Sequence, residues 1–313
     1  MLVRAPTRVQ HDWVLDSRQW AGYRSRAGDV IIATAPKAGT TWLQQIVSLL
    51  IFQSPLPRSL AALSPWLEFR LNPPEASLAI IESQEHRRFL KSHLSLDALP
   101  LYDEVYYIHV ARDGRDACMS LLNHVNSFAL GATERINAIG MSDPTIGRPR
   151  PKPPSSPREF FRYWMDTTER DDSRNADHFF RLERSFWSER TRSNLLLVHY
   201  NDLKADLAGE MHRIARFLGI STAPDLWPQL VEAATFESMK RDGKTLLAHM
   251  EHLFERGHDS FLHKGINDRW REVLTQADLE RYDNKVGALL SPGLARWLES
   301  GRLKAGDPET AAD

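Results

Sequence analysis

The β-branched run Val30-Ile31-Ile32-Ala33-Thr34 enters the turn Pro36-Lys37-Ala38-Gly39-Thr40-Thr41, and Trp42, Leu43, Ile46, Val47, Leu49 and Leu50 follow with helical spacing. The order is strand, tight loop, helix. Gly and hydroxyl residues stand at the helix start, where backbone N–H groups lack intrahelical partners and the helix dipole is positive. Such a loop aims several N–H groups at one point, the arrangement that holds phosphate. Lys37 adds a compact cation, and Thr40 and Thr41 add hydroxyl donors. An ordinary Thr-capped turn is the plainer alternative; Lys, Gly and two Thr converging behind a buried-looking strand weigh against it. The loop is not a Walker A sequence, because Lys37 precedes Gly39 and no further Lys follows, so a Mg²⁺-binding hydroxyl is poorly defined.

Strands alternate with helices along the rest of the chain. Residues 88–94 and 105–110, and Asn194 to Tyr200, read as strands; 77–90, 112–126, 158–189 and 201–219 read as helical. The Pro-punctuated stretch 53–75 and the Gly/Pro/Ser-rich stretch 127–157 read as loops, and the chain to about 300 as mostly helical with a loop at 255–267. This predicts an α/β fold, one domain with a mainly parallel central sheet flanked by helices. Ligands on such sheets sit beyond the carboxyl ends of the strands. Residues 1–27, with Trp13, Trp20 and Tyr23, are expected to pack on a body spanning 28–303, and 304–313 to form a flexible tail.

With 313 residues and 42% hydrophobic content the chain can bury one large core. A net charge of −1 argues against broad capture of nucleic acid or anionic membrane. No stretch reaches the ~20 apolar residues of a membrane span. The N-terminus lacks a signal-peptide pattern, and Cys118 is the only cysteine, so no intramolecular disulfide forms. The expectation is a cytoplasmic protein with Cys118 packed in a helix. No His/Cys/Asp/Glu cluster suggests a metal site.

Four further groups carry chemistry. Arg112 ends a strand and Ser120 lies eight residues on, a planar fork and a hydroxyl that could meet one phosphate. In Lys91-Ser92-His93-Leu94, a strand-end histidine could take a proton from a hydroxyl. Trp42 and Phe236 could stack on a purine, at roughly 1–3 kcal/mol per base. The fourth is Phe261-Leu262-His263-Lys264-Gly265-Ile266-Asn267-Asp268-Arg269-Trp270-Arg271.

Pro-Lys-x-Gly-Thr-Thr-Trp resembles the 5′-phosphosulfate loop of the cytosolic-type sulfotransferases, which use 3′-phosphoadenylyl sulfate. Lys91-Ser92-His93-Leu94 is similar to the family's Lys-Thr-His-Leu element, with Ser for Thr. Arg112 and Ser120 match its 3′-phosphate pair, and Lys264, Gly265 and Trp270 match its Arg-Lys-Gly…Gly-Asp-Trp-Lys pattern. His263 departs from the Arg there, and Asp268-Arg269 from Gly-Asp. The likeness runs from about residue 28 to 285 with the motifs in the family's order.

The resemblance implies sulfuryl transfer from 3′-phosphoadenylyl sulfate to a hydroxyl, with an amine second, of a small acceptor, leaving adenosine 3′,5′-bisphosphate, without a metal. It implies His93 as base, Lys37 and Lys91 as charge stabilisers, and Ser120 and Arg112 on the 3′-phosphate. Cofactor contacts would come from Lys37, Ala38, Gly39, Thr40, Thr41, Trp42, Tyr200, Thr235, Phe236, Met239, His263, Lys264 and Gly265. If His263 faces the 3′-phosphate, cofactor affinity should weaken as pH rises through neutrality. Apolar Phe128, Leu130, Leu253 and Phe254 point to a hydrophobic acceptor. Arg271, Thr275 and Glu280 only partly match the family's dimerisation motif and leave a homodimer open. The competing readings are a nucleotide-dependent phosphotransferase and a non-catalytic nucleotide-binding protein.

Overall fold

A computed structural model of the chain describes residues 1–168, 172–250, 252–262 and 265–313. Its strands are β1 (Leu2–Arg4), β2 (Val30–Thr34), β3 (Phe89–Ser92), β4 (Leu101–Tyr102), β5 (Tyr106–Ala111) and β6 (Leu195–His199). The central sheet is wholly parallel, in the order β3-β2-β5-β6, and β1 pairs antiparallel with β4. Every residue of β2 is buried, as a central strand covered on both faces requires.

The two-residue period of the strands divides the core. Ile31, Ala33, Leu90 and Tyr107 face the helices Gly114–Asn126, Pro157–Asp166 and Ala176–Trp187, and meet Cys118, Phe161 and Phe180. Val30, Ile32, Phe89 and Ile108 face Thr40–Phe52 and Leu207–Phe217, and meet Leu43, Ile46, Met211 and Ile214. Register places Ser92 beside Ala33, Val110 beside Thr34, and His199 beside Ala111. The chain therefore leaves four strands along one edge.

The stretch 127–157 corrects the sequence expectation, because Leu130–Ser142 is an α-helix rather than loop. Ala132, Ile136 and Gly140 recur every four residues and form its buried face, a stripe hidden in the sequence by flanking Gly, Pro and Ser. Gly140 is required there: a Cβ would lie 2.3 Å from the Trp13 ring. Asp206 splits the expected 201–219 helix in two by capping Leu207–Phe217 through its bond from the Gly209 N–H. In place of a frayed tail, 304–313 folds back: Pro308 is buried, and the Trp187 indole donates to Asp313 at 3.0 Å.

Trp13, Trp20 and Tyr23 are all buried, which ties the N-terminal segment to the body. Beneath it, Arg88 and Asp29 form a fully buried ion pair, with Nε donating to Oδ1 at 2.8 Å. Removing one partner strands the other charge in a low-dielectric interior, which costs about 3–5 kcal/mol. Arg88→Leu should therefore lose about that much stability in urea unfolding; a loss under about 1 kcal/mol would contradict this account of the pair.

Candidate active site

The turn after β2 holds Lys37 at φ 68° and Gly39 at φ 124°, both left-handed values that are uncommon for residues other than glycine. A Cβ on Gly39 would lie 3.2 Å from both the Tyr200 ring and a Val110 methyl. The Thr34 and Thr40 hydroxyls bond each other across the turn. No side chain caps the Thr40–Phe52 helix, so its leading N–H groups are not spent on a cap. They face a cleft of about 1660 Å³, counting the space at its open mouth.

Lys37, Lys91 and Arg112 all line this cleft, each over an aromatic face. Lys37 Nζ lies 4.0 Å from the Phe261 ring centre, Lys91 Nζ 4.0 Å from that of Trp66, and the Arg112 guanidinium 4.2 Å from that of Tyr200. Burial, helped by Lys91 and Arg112, pulls the Lys37 pKa down to about 7. Burial takes Lys91 down to about 8, with Glu68 opposing the shift. Arg112 donates to Asn267 Oδ1 at 2.7 Å and to the Lys37 carbonyl at 3.3 Å, while its buried Nε has no partner among the described residues. Ser120 lines the same region.

Three histidines lie at or near the ends of β3, β5 and β6, and their hydrogen bonds separate them. His109 donates from Nδ1 to the Ala33 carbonyl, and its Nε2 meets Glu183 at 2.9 Å. His199 uses Nδ1 to cap Asn201 and donates from Nε2 to the Leu298 carbonyl. His93 Nδ1 lies 2.8 Å from the Thr34 carbonyl, which can only accept, so Nδ1 carries the hydrogen. The lone pair is left on Nε2, and the ring lines the cleft. Burial first, then Lys91, holds its pKa well below the ordinary value, so the ring is neutral at pH 7 and able to accept a proton.

Sequence reasoning missed the group that sets His93. Glu68, fully buried, accepts from the Trp20 indole at 2.8 Å, the Trp66 indole at 2.7 Å, the Ser92 hydroxyl at 2.9 Å and the His93 N–H at 2.8 Å. One carboxylate thus joins the N-terminal segment, a cleft wall and the strand end. Its only sequence signal was an acidic residue between Trp66 and Phe69 in a stretch read as loop. His124, also missed, lines the cleft amid Phe128, Phe254 and Phe261; burial and Lys37 hold its pKa well below the ordinary value.

Of the other residues singled out in the sequence, Thr40, Thr41, Trp42, Tyr200, Phe236, Met239 and Gly265 line the cleft. Ala38 is buried behind the turn, and Thr235 caps the Phe236–Arg241 helix through a bond from the Ser238 N–H. His263 and Lys264 lie outside the described residues. Phe128, Leu253 and Phe254 line the cleft, but Leu130 does not. It is 74% exposed, because it lies off the buried face of its helix. Among the described residues, no three His, Cys, Asp or Glu side chains gather as a metal site, and no helix is long and apolar enough to cross a membrane.

A strand-loop-helix anion cradle, the buried Arg112, the half-buried Lys37 and Lys91 and a neutral histidine in one cleft define a nucleotide-using group-transfer site on a parallel sheet. The sulfotransferase domain family matches residues 27–292. A glycolipid sulfotransferase of Mycobacterium bovis is 33% identical, with 94% of each chain covered, and human sulfotransferase 1C2 is 24% identical over 88% of each. The chain belongs to the sulfotransferase family. Its fold is shared by retinol dehydratase, solved with androsterone and the inactive cofactor PAP (TM-score 0.68, 19% identity, 89% of this chain and 87% of that one). Mouse sulfotransferase SULT7A1, complexed with PAP, aligns at TM-score 0.66 and 16% identity over 90% of each chain.

Gly39→Ala forces a side chain into a left-handed position against Tyr200 and Val110, so its melting temperature should fall by several degrees. Gly131→Ala, in a helix with open space around the new methyl, should hold or raise it. Equal melting temperatures for the two variants would mean that the turn is not under the constraint described.

Proposed function

We propose that this sulfotransferase binds 3′-phosphoadenylyl sulfate in the cleft and transfers its sulfuryl group to the hydroxyl of a small, hydrophobic acceptor. The observation that carries the reading is the presence of Lys37, Lys91 and a neutral His93 on one cleft, with Nε2 of His93 unpartnered among the described residues. His93 Nε2 takes the acceptor proton as the acceptor oxygen attacks sulfur in line. The bond from sulfur to the bridging oxygen breaks, and adenosine 3′,5′-bisphosphate leaves. Lys37 and the free N–H groups of the turn stabilise charge on that oxygen, and Lys91 meets the sulfonate in flight. Arg112 and Ser120 hold the 3′-phosphate, while Trp42 and Phe236 flank the adenine, with Tyr200 at its edge. The PAP bound by the solved relatives supports the choice of donor.

A cytoplasmic location belongs to the same reading, supported by the single buried thiol Cys118. A homodimer through 271–280 would have to use other atoms than the Thr275 hydroxyl, which is committed to Asp278.

The test is transfer from 3′-phosphoadenylyl sulfate to 2-naphthol, with naphthyl sulfate read by mass spectrometry and ATP with Mg²⁺ as the control donor. Product from the sulfate donor alone is expected; phosphorylated naphthol would overturn the reading. His93→Ala should lower turnover by roughly 10²–10⁴ while adenosine 3′,5′-bisphosphate affinity stays within a few-fold. Near-normal turnover at saturation would remove His93 as base. Arg112→Ala should bring affinity for adenosine 3′,5′-bisphosphate close to that for adenosine 5′-phosphate, and a surviving preference would mean that the 3′-phosphate binds elsewhere.

A further inference from the structure

Part of the cleft wall is not apolar. Asp12, Arg150, Ser173 and Arg174 line it, and none belongs to the nucleotide loop or to the strand-end motifs. Arg150 and Arg174 grip one buried carboxylate from two sides: Arg150 Nη2 donates to Asp172 Oδ1 at 2.8 Å, and Arg174 Nη2 to Oδ2 at 2.9 Å. The Arg150 side chain is only 8% exposed. Neither guanidinium spends its Nη1 on a partner among the described residues. Asp12 takes the Val14 and Leu15 N–H groups on Oδ1 and the Ser173 hydroxyl on Oδ2, which keeps one lone pair of Oδ2 for another donor.

Flanking this wall are two aromatic stacks. Trp66 lies on Phe69 at 4.3 Å between ring centres and meets the His93 ring edge-on, and Phe128 lies on Phe254 at 5.1 Å. Flat apolar faces beside planar donors and acceptors suit a ring that has C–H faces and a rim of hydroxyls. Each hydroxyl both donates and accepts, which matches guanidinium donors set next to a carboxylate acceptor. An entirely apolar acceptor would instead cut these buried groups off from water without replacing its hydrogen bonds.

We propose that Asp12, Arg150, Ser173 and Arg174 form an acceptor subsite that reads the additional hydroxyls of a sugar-type ring, narrowing the acceptor class from a hydrophobic alcohol to an amphipathic glycoside. The inference rests on the sulfuryl-transfer reading above. The aromatic stacks take the ring face and apolar aglycone, and the polar wall fixes which hydroxyl reaches His93. The glycolipid acceptor named for the mycobacterial relative has the same chemistry.

The test compares octyl β-D-glucopyranoside with trans-4-octyloxycyclohexanol, which share a six-membered ring and chain but differ in hydroxyl number, both below micelle formation. Wild-type kcat/KM should favour the glucoside about tenfold or more, since a site built to bond hydroxyls rejects analogues that lack them. Ser173→Ala and Arg174→Gln should each cut that ratio several-fold, mainly through KM for the glucoside, with adenosine 3′,5′-bisphosphate affinity held; Arg174→Gln, which takes one of two arginines from buried Asp172, should also lower the melting temperature. A wild-type ratio near one or below overturns the subsite, and so does a ratio untouched by both variants. A stronger preference for octyl glucuronide, whose carboxylate would pair with the arginines, overturns it in favour of an anion site. The 2-naphthol assay separates the two levels: naphthol turnover without glucoside preference removes the subsite alone, whereas no transfer to any of these alcohols removes both readings.

Discussion

Parallel pairing of β3, β2, β5 and β6 ends four strands along one edge, and the segments leaving that edge carry His93, the 36–39 turn, Arg112 and Tyr200. Parallel strands must each be followed by a crossover, so their carboxyl ends collect loops and helix starts. Here the crossovers bring an uncapped helix N-terminus, a strained lysine and a strand-end histidine to one cleft. The hydrogen bond from His93 Nδ1 to the Thr34 carbonyl joins two of these segments directly, which makes the tautomer of the ring a consequence of sheet register.

Bringing Lys37, Lys91 and Arg112 together in a buried cleft is electrostatically unfavourable without an anion. Burial lowers both lysines, to about 7 for Lys37 and about 8 for Lys91, and the neighbouring cations add to the shift at Lys37. The aromatic faces beneath each cation recover part of that cost. Glu68 adds a negative charge near Lys91 yet spends its oxygens on four neutral N–H and O–H donors, so it organises the wall without consuming the lysine. On the reading proposed above, the phosphorylated donor relieves this unfavourable arrangement of cations. Family membership gives the reaction class; the electrostatics give the reason that these residue types stand there.

The strand-loop-helix side of the cleft was legible in the sequence because it is local. A strand, a Lys-x-Gly-Thr-Thr turn and a helix run consecutively from Val30 to Phe52, and Arg112 with Ser120 span two helical turns. The strand-turn-helix could be read from period and spacing, whereas the Arg112–Ser120 pair took its meaning from the family resemblance. The wall proposed for the acceptor was not legible, because its residues are assembled by tertiary packing. Glu68 acts through partners 2, 24, 25 and 48 residues away. The polar wall joins Asp12 to Ser173 across 161 residues. Helix Leu130–Ser142 was hidden because its buried face holds only Ala132, Ile136 and Gly140, too weak a stripe to stand out among turn formers. Leu130 was taken for a cavity residue by its side chain alone, and helix phase turns it outward.

On the proposed reading, nucleotide phosphate completes a site whose lysines are partly discharged when it is empty. Lys37 has a depressed pKa in the free protein, and a bound phosphate must raise it. Affinity is therefore full below about pH 7 and falls as pH rises from there toward the bound-state pKa. Within that window binding takes up protons; the phosphate itself, with its second pKa near ~6, contributes little at pH 8. Calorimetric titration with adenosine 3′,5′-bisphosphate near pH 8, in two buffers of different ionisation enthalpy, measures this directly. The account predicts a buffer-dependent enthalpy corresponding to net proton uptake, reduced in Lys37→Ala. An enthalpy identical in both buffers, with affinity flat across neutrality, would contradict it.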